Sequence, residues 1–305
     1  MTLDDCDVLF AAVRASTSPA ELADLFGRLL NECPVIRVGV TRGSIFWRAR
    51  PSSAEGYANV RDVTYPPMHL AALNRLSDEN QPRFYSSARK ETALAEQVEC
   101  KPGQFFHVLG SWVKSGHELR SLVLGEQHHV YKMGYWRTFG VDPGNTLSRG
   151  INSRPRDVSL RAIYIDAFLG SILSDPKACD YDYVRSRALL SVIASKYPVD
   201  AVFYPSVKDA WGTNMVITPE AVDSQMVYCA SQLVRVNRCR DFGVIETSLV
   251  RQASGIGPDG EFQWIGAADA EREILFGMTK EEYEFGLRNA NSRNGLLDLK
   301  AFQTL

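Results

Sequence analysis

The 305-residue chain lacks most of the features that assign a sequence quickly. Its six cysteines, Cys6, Cys33, Cys100, Cys179, Cys229 and Cys239, are scattered, with no C-x-x-C pair and no histidine at metal-ligand spacing. That argues against a zinc site, and so few thiols in a chain this long argue against a disulfide framework. Reduced, mostly buried thiols in a cytoplasmic protein are expected instead. No run of about eighteen apolar residues is present, so no membrane span is expected. The opening MTLDDCDVLFAAVRAS is acidic where a secretory signal would be basic. Internal repeats and low-complexity tracts are missing. An excess of charge is missing too: 34 Lys and Arg face 36 Asp and Glu, for a net charge of −2. A broad nucleic-acid surface needs surplus cations and is not expected. A small anionic ligand needs only two or three placed ones.

What remains is an ordinary globular composition, 45% hydrophobic and 23% charged, in a chain long enough for one large domain or two small ones. Residues 1–35 read as helices. Ser18-Pro19-Ala20-Glu21 supplies a capping serine and a first-turn proline, and Leu22, Leu25, Phe26, Leu29 and Leu30 fall on one face. From Val35 the pattern turns to β-type runs, Val35–Val40 and Ile45–Ala49, followed by a loop stiffened by Tyr65-Pro66-Pro67. Phe84-Tyr85 ends a short strand, and Ser86-Ser87 caps a helix from Ala88 to about Glu99. Phe105–Val113 and Leu119–Leu124 read as strands, and Val141–Asp157 as a long loop. Helices are expected around Val158–Leu173 and Tyr181–Lys196, and strands over Ala201–Val207, Asn214–Thr218 and Met226–Val236. Ser254–Gly266 carries a turn signal, and Ala268–Gly277 a last helix before a polar tail. Strands and helices mix without regular alternation, which predicts an α+β fold.

One stretch concentrates chemically useful residues. Asn74-Arg75-Leu76-Ser77-Asp78-Glu79-Asn80-Gln81-Pro82-Arg83-Phe84-Tyr85-Ser86-Ser87 closes on Glu91-Thr92-Ala93-Leu94-Ala95-Glu96. Upstream lies Phe46-Trp47-Arg48-Ala49-Arg50, and far downstream Val202-Phe203-Tyr204-Pro205-Ser206-Val207 with Gly212-Thr213-Asn214-Met215-Val216. The order resembles the RES family, named for its Arg, Glu and Ser. In that family an Arg opens a turn-rich segment, a Tyr follows ten residues later, and a helix presents a Glu from an A-L-x-E context. Arg75, Tyr85 and Glu96 match those landmarks, Arg48 matches the Arg that ends the family's opening strand, and Ser206 lies in the segment that carries its Ser. The resemblance covers residues 36–255. Where the family has glycine before the motif Arg and in the turn after it, this chain has Asn74 and Asp78-Glu79-Asn80. Asn and Asp enter left-handed backbone conformations more readily than other non-glycine residues, so the turn is expected to survive.

The resemblance implies an ADP-ribosyltransferase-like split β-core with flanking helices over 36–255. It leaves a helical extension at 1–35 and a hairpin and helix at 256–305, packed on the same domain. It implies an NAD-consuming toxin, held in check by an antitoxin or other inhibitory protein, that breaks the nicotinamide–ribose bond by hydrolysis or phosphorolysis. NAD is then a substrate, no metal is required, and neither nucleic acid nor membrane is a partner. A homo-oligomer stays open.

The residue chemistry agrees. Breaking that bond leaves an oxocarbenium-like sugar carbon, which a nearby carboxylate stabilises. Nicotinamide departs neutral, so one acid suffices, and Glu96 supplies it. The catalytic set is therefore Glu96, Tyr85 and Arg75, with NAD held by Arg48, Arg75, Tyr85 and Ser206. Arginine suits the diphosphate because it is planar and permanently charged, tyrosine offers a stacking ring with a hydroxyl, and Ser206 offers a hydroxyl at a strand end. Two other readings share these residues: a mono-ADP-ribosyltransferase that modifies a protein, and an inactive binding or scaffold protein on the same fold. His128-His129 and the group Trp112, His117 and His107 are read as core and loop.

Overall fold

The computed structural model describes residues 1–99, 101–141, 145–266 and 272–277. They form a mixed α+β fold of eight α-helices and a large, mostly antiparallel sheet. Two helices lead the chain, α1 (Leu3–Ala15) and α2 (Pro19–Glu32). Each begins on a side-chain cap, Thr2 Oγ1 accepting from Asp5 N and Ser18 Oγ from Glu21 N. Strands β1 (Ile36–Val40), β2 (Phe46–Ser52) and β3 (Phe84–Ser87) follow, then the short helix α3 (Lys90–Ala95). Next come β4 (Phe105–Val113), β5 (Leu119–Val123), α4 (Glu126–Met133), the small β6 (Tyr135–Trp136) and β7 (Gly140–Val141) pair, α5 (Thr146–Asn152), α6 (Arg156–Leu173) and α7 (Val184–Lys196). The chain continues through β8 (Ala201–Pro205), β9 (Thr213–Ile217), α8 (Pro219–Gln225), β10 (Met226–Cys239), β11 (Val244–Ile256), β12 (Phe262–Gly266) and β13 (Arg272–Phe276).

The main sheet runs β1-β5-β8-β9-β3-β2-β4-β10-β11-β12, with β13 also on β11, and its one parallel contact joins β5 to β8. It has a weak seam. β2 and β3 pair at a single position, Trp47 opposite Ser87, whereas β2 matches β4 over seven positions and β3 matches β9 over four. Two half-sheets therefore meet and part within one residue.

Side-chain alternation assigns the two faces of the first half. Val202 and Tyr204 of β8 join the core made by α1, α2, α6 and α7, while Ala201 and Phe203 face a second core with α4, α5 and α8. Helix α3 belongs to the other half. Ala93 and Leu94 are buried with Phe106, Val108 and Val236 beneath β4 and β10. Removing a side chain such as the fully buried Leu94 would cost about 2–5 kcal/mol.

Several expectations need correction. Helix α3 is shorter than the Ala88–Glu99 forecast, and its N-cap is Arg89 rather than Ser86 or Ser87. The loop forecast over Val141–Asp157 holds α5, whose Leu147 and Ile151 bury one face, and the start of α6; residues 142–144 lie outside the described residues. Where a last helix was expected at Ala268–Gly277, the described part is β13, hydrogen-bonded along β11; residues 267–271 and the tail from 278 are outside the described set. Ladder pairing overrides local helix preference there. Among the thiols Cys6 and Cys33 are buried as expected, but Cys179 is exposed, and Cys100 is outside the described residues. No described helix is long and apolar enough to cross a membrane.

His107 on β4 is a core group with a measurable signature. Its Nε2 lies 2.8 Å from Ser231 Oγ, its Nδ1 has no partner among the described residues, and the ring packs among Tyr57, Phe262 and Trp264. Burial pushes its pKa down to about 4. A base with a depressed folded pKa adds stability as pH rises from about 4 to its unfolded value near 6.5. Unfolding free energies of the parent and His107→Gln should therefore diverge by up to about 3 kcal/mol between pH 4 and pH 7. Parallel pH profiles would mean that His107 is not held neutral.

Candidate active site

Where β2 and β3 part, the sheet opens into a cavity of about 640 Å³. Arg48, the residue after the single pair, bridges the gap. Its Nη1 donates to the Tyr85 carbonyl at 2.9 Å and its Nε to the Val63 carbonyl at 2.7 Å, with the guanidinium over the Phe84 ring. A side chain thus satisfies a β3 carbonyl where a backbone ladder would otherwise run. Burial, aided by the charge of Arg50, pushes the Arg48 pKa down to about 10, which still leaves it cationic at neutral pH.

The Tyr85 ring lines the cavity, while its hydroxyl holds the preceding turn. It accepts from Leu76 N at 3.0 Å and lies 3.2 Å from Ser77 Oγ. Burial raises its pKa. The turn itself closes through backbone hydrogen bonds between Asn74 and Ser77, and Asn80 takes the left-handed conformation, φ 60°, for which glycine is usually required. Arg75 reaches the cavity wall from this turn. Its Nη1 donates to the Asp175 carbonyl at 2.9 Å and its guanidinium lies over Tyr183. Asp78 pairs with Arg187, so Arg75 keeps its charge free of a carboxylate partner.

Glu96 stands just past the end of α3, half-buried on the cavity wall. One oxygen, Oε1, accepts three hydrogen bonds: from Ser206 Oγ at 2.5 Å, Asn214 Nδ2 at 2.7 Å and Val207 N at 3.0 Å. Ser87 Oγ donates to Asn214 Oδ1 at 2.7 Å and so turns the amide nitrogen toward Glu96. Concentrating the donors on Oε1 fixes the rotamer and leaves Oε2 for whatever enters. Glu99, a turn later, is exposed and paired with Lys101.

Ser206 differs from its expected role. Its hydroxyl proton is committed to Glu96 and its lone pairs to Lys208 N and Asp209 N, so it positions the acid. It lines not the larger cavity but a second one of about 160 Å³. Four further residues shape the site without a signal of their own in the sequence. Asn214 donates to Glu96 from β9. Asp209, fully buried, ties the β8–β9 loop to α3 by accepting from Arg89 at 2.6 Å and Thr92 Oγ1 at 2.5 Å. Gly212 lets that loop approach, since a Cβ there would sit 2.4 Å from Thr92 Cγ2. The fourth, Arg83, has no side-chain hydrogen bond or ion pair among the described residues, and it too lines the cavity.

No family model matches the chain, and neither the curated proteins nor the solved structures contain a match.

Removing the Ser206 hydroxyl strips one donor from Glu96 and leaves two loop N–H groups without their acceptor. Ser206→Ala should lose about 1–2 kcal/mol of stability in urea unfolding. A loss smaller than about 0.5 kcal/mol would place the hydroxyl outside this network.

Proposed function

We propose that the chain cleaves the nicotinamide–ribose bond of NAD, as the resemblance to the RES toxins implies. The observation that carries this reading is the lone, firmly oriented carboxylate of Glu96 on a cavity whose other charged lining groups are all cations. A dinucleotide presents both features that such a wall recognises: an anionic diphosphate, and a sugar carbon that turns positive as its bond to nicotinamide breaks. The parting of β2 from β3 supports an ADP-ribosyltransferase-like split core, with the dinucleotide lying along the opening.

In this reading the electron pair of the C1′–N bond leaves with nicotinamide, which departs neutral. Glu96 Oε2 faces the cationic carbon, and its charge is worth most there because the partly buried site screens it less than water would. Water or phosphate then bonds to C1′, and in hydrolysis the spare proton passes to solvent. Arg75 donates to the diphosphate, while the Tyr85 ring flanks the ligand. Arg48, with two donors committed to backbone carbonyls, acts chiefly as the brace of the opening.

Two experiments test this. Incubation with NAD should yield nicotinamide together with ADP-ribose or, when phosphate is the acceptor, ADP-ribose 1″-phosphate; intact NAD after prolonged incubation with folded protein would sink the reading. Glu96→Gln keeps an acceptor for the three donors but removes the charge. It should cut turnover by about two to three orders of magnitude, leave NAD affinity within a few-fold and melt like the parent. Turnover close to the parent's would exclude Glu96 as the acid. Arg75→Ala should weaken NAD binding by about 2–3 kcal/mol in calorimetry, with Arg75→Lys recovering only part.

A further inference from the structure

The cavity carries more positive charge than a diphosphate calls for. Arg48, Arg50, Arg75, Arg83 and Lys208 line it, against the single carboxylate of Glu96. The chain as a whole is slightly negative, at −2. None of the five cations is in an ion pair among the described residues, although nine such pairs occur elsewhere. Three of them lean on neutral groups: Arg48 and Arg75 as described, Arg50 on the Asp62 carbonyl and the Tyr57 ring. Those contacts hold the side chains without cancelling their charge. Arg83 and Lys208 have no side-chain partner at all among the described residues, and Lys208 is exposed whereas Arg83 is half-buried.

Position separates Arg83 from the reacting end. Tyr85 and Ser87 share a face of β3, Arg83 immediately precedes the strand, and all three line the cavity. Ser87 marks the Glu96 end, through Asn214. Arg83 lies beyond the other end of β3, which itself spans about 10 Å from Phe84 to Ser87 at roughly 3.3 Å per residue. It is close enough to Tyr85 for its charge, like that of Arg75, to oppose the effect of burial on that hydroxyl. Arg75 also acts, with Glu96, on the buried Tyr204, as Arg83 does not, which places Arg75 nearer the reacting end for the diphosphate and Arg83 for a group farther from the scissile bond. A phosphate monoester there adds about 1.5–2 negative charges, which takes up the remaining cationic surplus.

Resting on the NAD-cleaving reading, we propose that Arg83 binds a phosphate monoester on the adenosine end of the dinucleotide, so that the site prefers NADP to NAD. The first test needs no turnover. Calorimetry on the full chain should show adenosine 2′,5′-bisphosphate binding at least about tenfold more tightly than AMP, the scale of one charge-assisted contact. Arg83→Ala should abolish that advantage without changing the melting temperature, and Arg83→Lys should keep part of it. In turnover, NADP should be cleaved with the higher kcat/KM. Arg83→Ala should lower the NADP value about tenfold or more and leave NAD within a few-fold. Equal affinity of the parent for the bisphosphate and AMP, or an equal loss on both dinucleotides in Arg83→Ala, would overturn the proposal. If the bisphosphate binds through Arg83 while neither dinucleotide is cleaved, the assignment of Arg83 stands and the NAD-cleaving reading fails.

Discussion

Everything at the candidate site depends on how two half-sheets are held while their strands part. A ladder that ends after Trp47 and Ser87 should leave β3 with an unmet carbonyl beside an open edge, and such edges invite foreign strands. Arg48 resolves this by spanning from β2 to the Tyr85 and Val63 carbonyls. The cost is a guanidinium held against apolar surface, visible in its lowered pKa, and the return is an opening of fixed width. Tyr85 then fixes the turn that bears Arg75, and Ser87 fixes the amide that holds Glu96. One short strand therefore sets both the cationic and the acidic side of the cavity.

The two kinds of charge in the cavity are handled differently. The carboxylate is restrained by three donors, so its direction is set in the empty cavity. The cations are restrained by carbonyls and rings, or by nothing, and keep their full charge. An empty cavity of this kind repels itself. Dissolved salt should ease that repulsion, and an anionic occupant would relieve it more completely, stabilising the fold by mass action.

Local features of the sequence foretell local features of the structure. Ser18-Pro19 marks the start of α2, and the apolar spacing after it gives the buried face. Arg75, Tyr85 and Glu96 all stand on the same cavity, and Asn80 takes the turn conformation that glycine would. What the sequence hides is satisfied from a distance. Helix α4 begins at Gly125, which has no side chain to cap it, and Asp166 on α6 accepts from the N–H groups of Gly125, Gln127 and His128 instead. Burial raises the pKa of that carboxyl to about 6 even so. The partner of Ser206 is hidden in the same way, because it lies 110 positions earlier. Strand β13 reads as helix until β11 is available to pair with it.

The same long separations bear on how the protein is made. Glu96 leaves the ribosome more than a hundred residues ahead of Ser206, Val207 and Asn214, the three groups that fix its direction. β3 likewise waits for β9 before gaining its only extended pairing. A nascent chain therefore carries the acid and the turn with Arg75 long before it has a site. The cavity is complete only after the β8–β9 hairpin has been delivered and docked against α3.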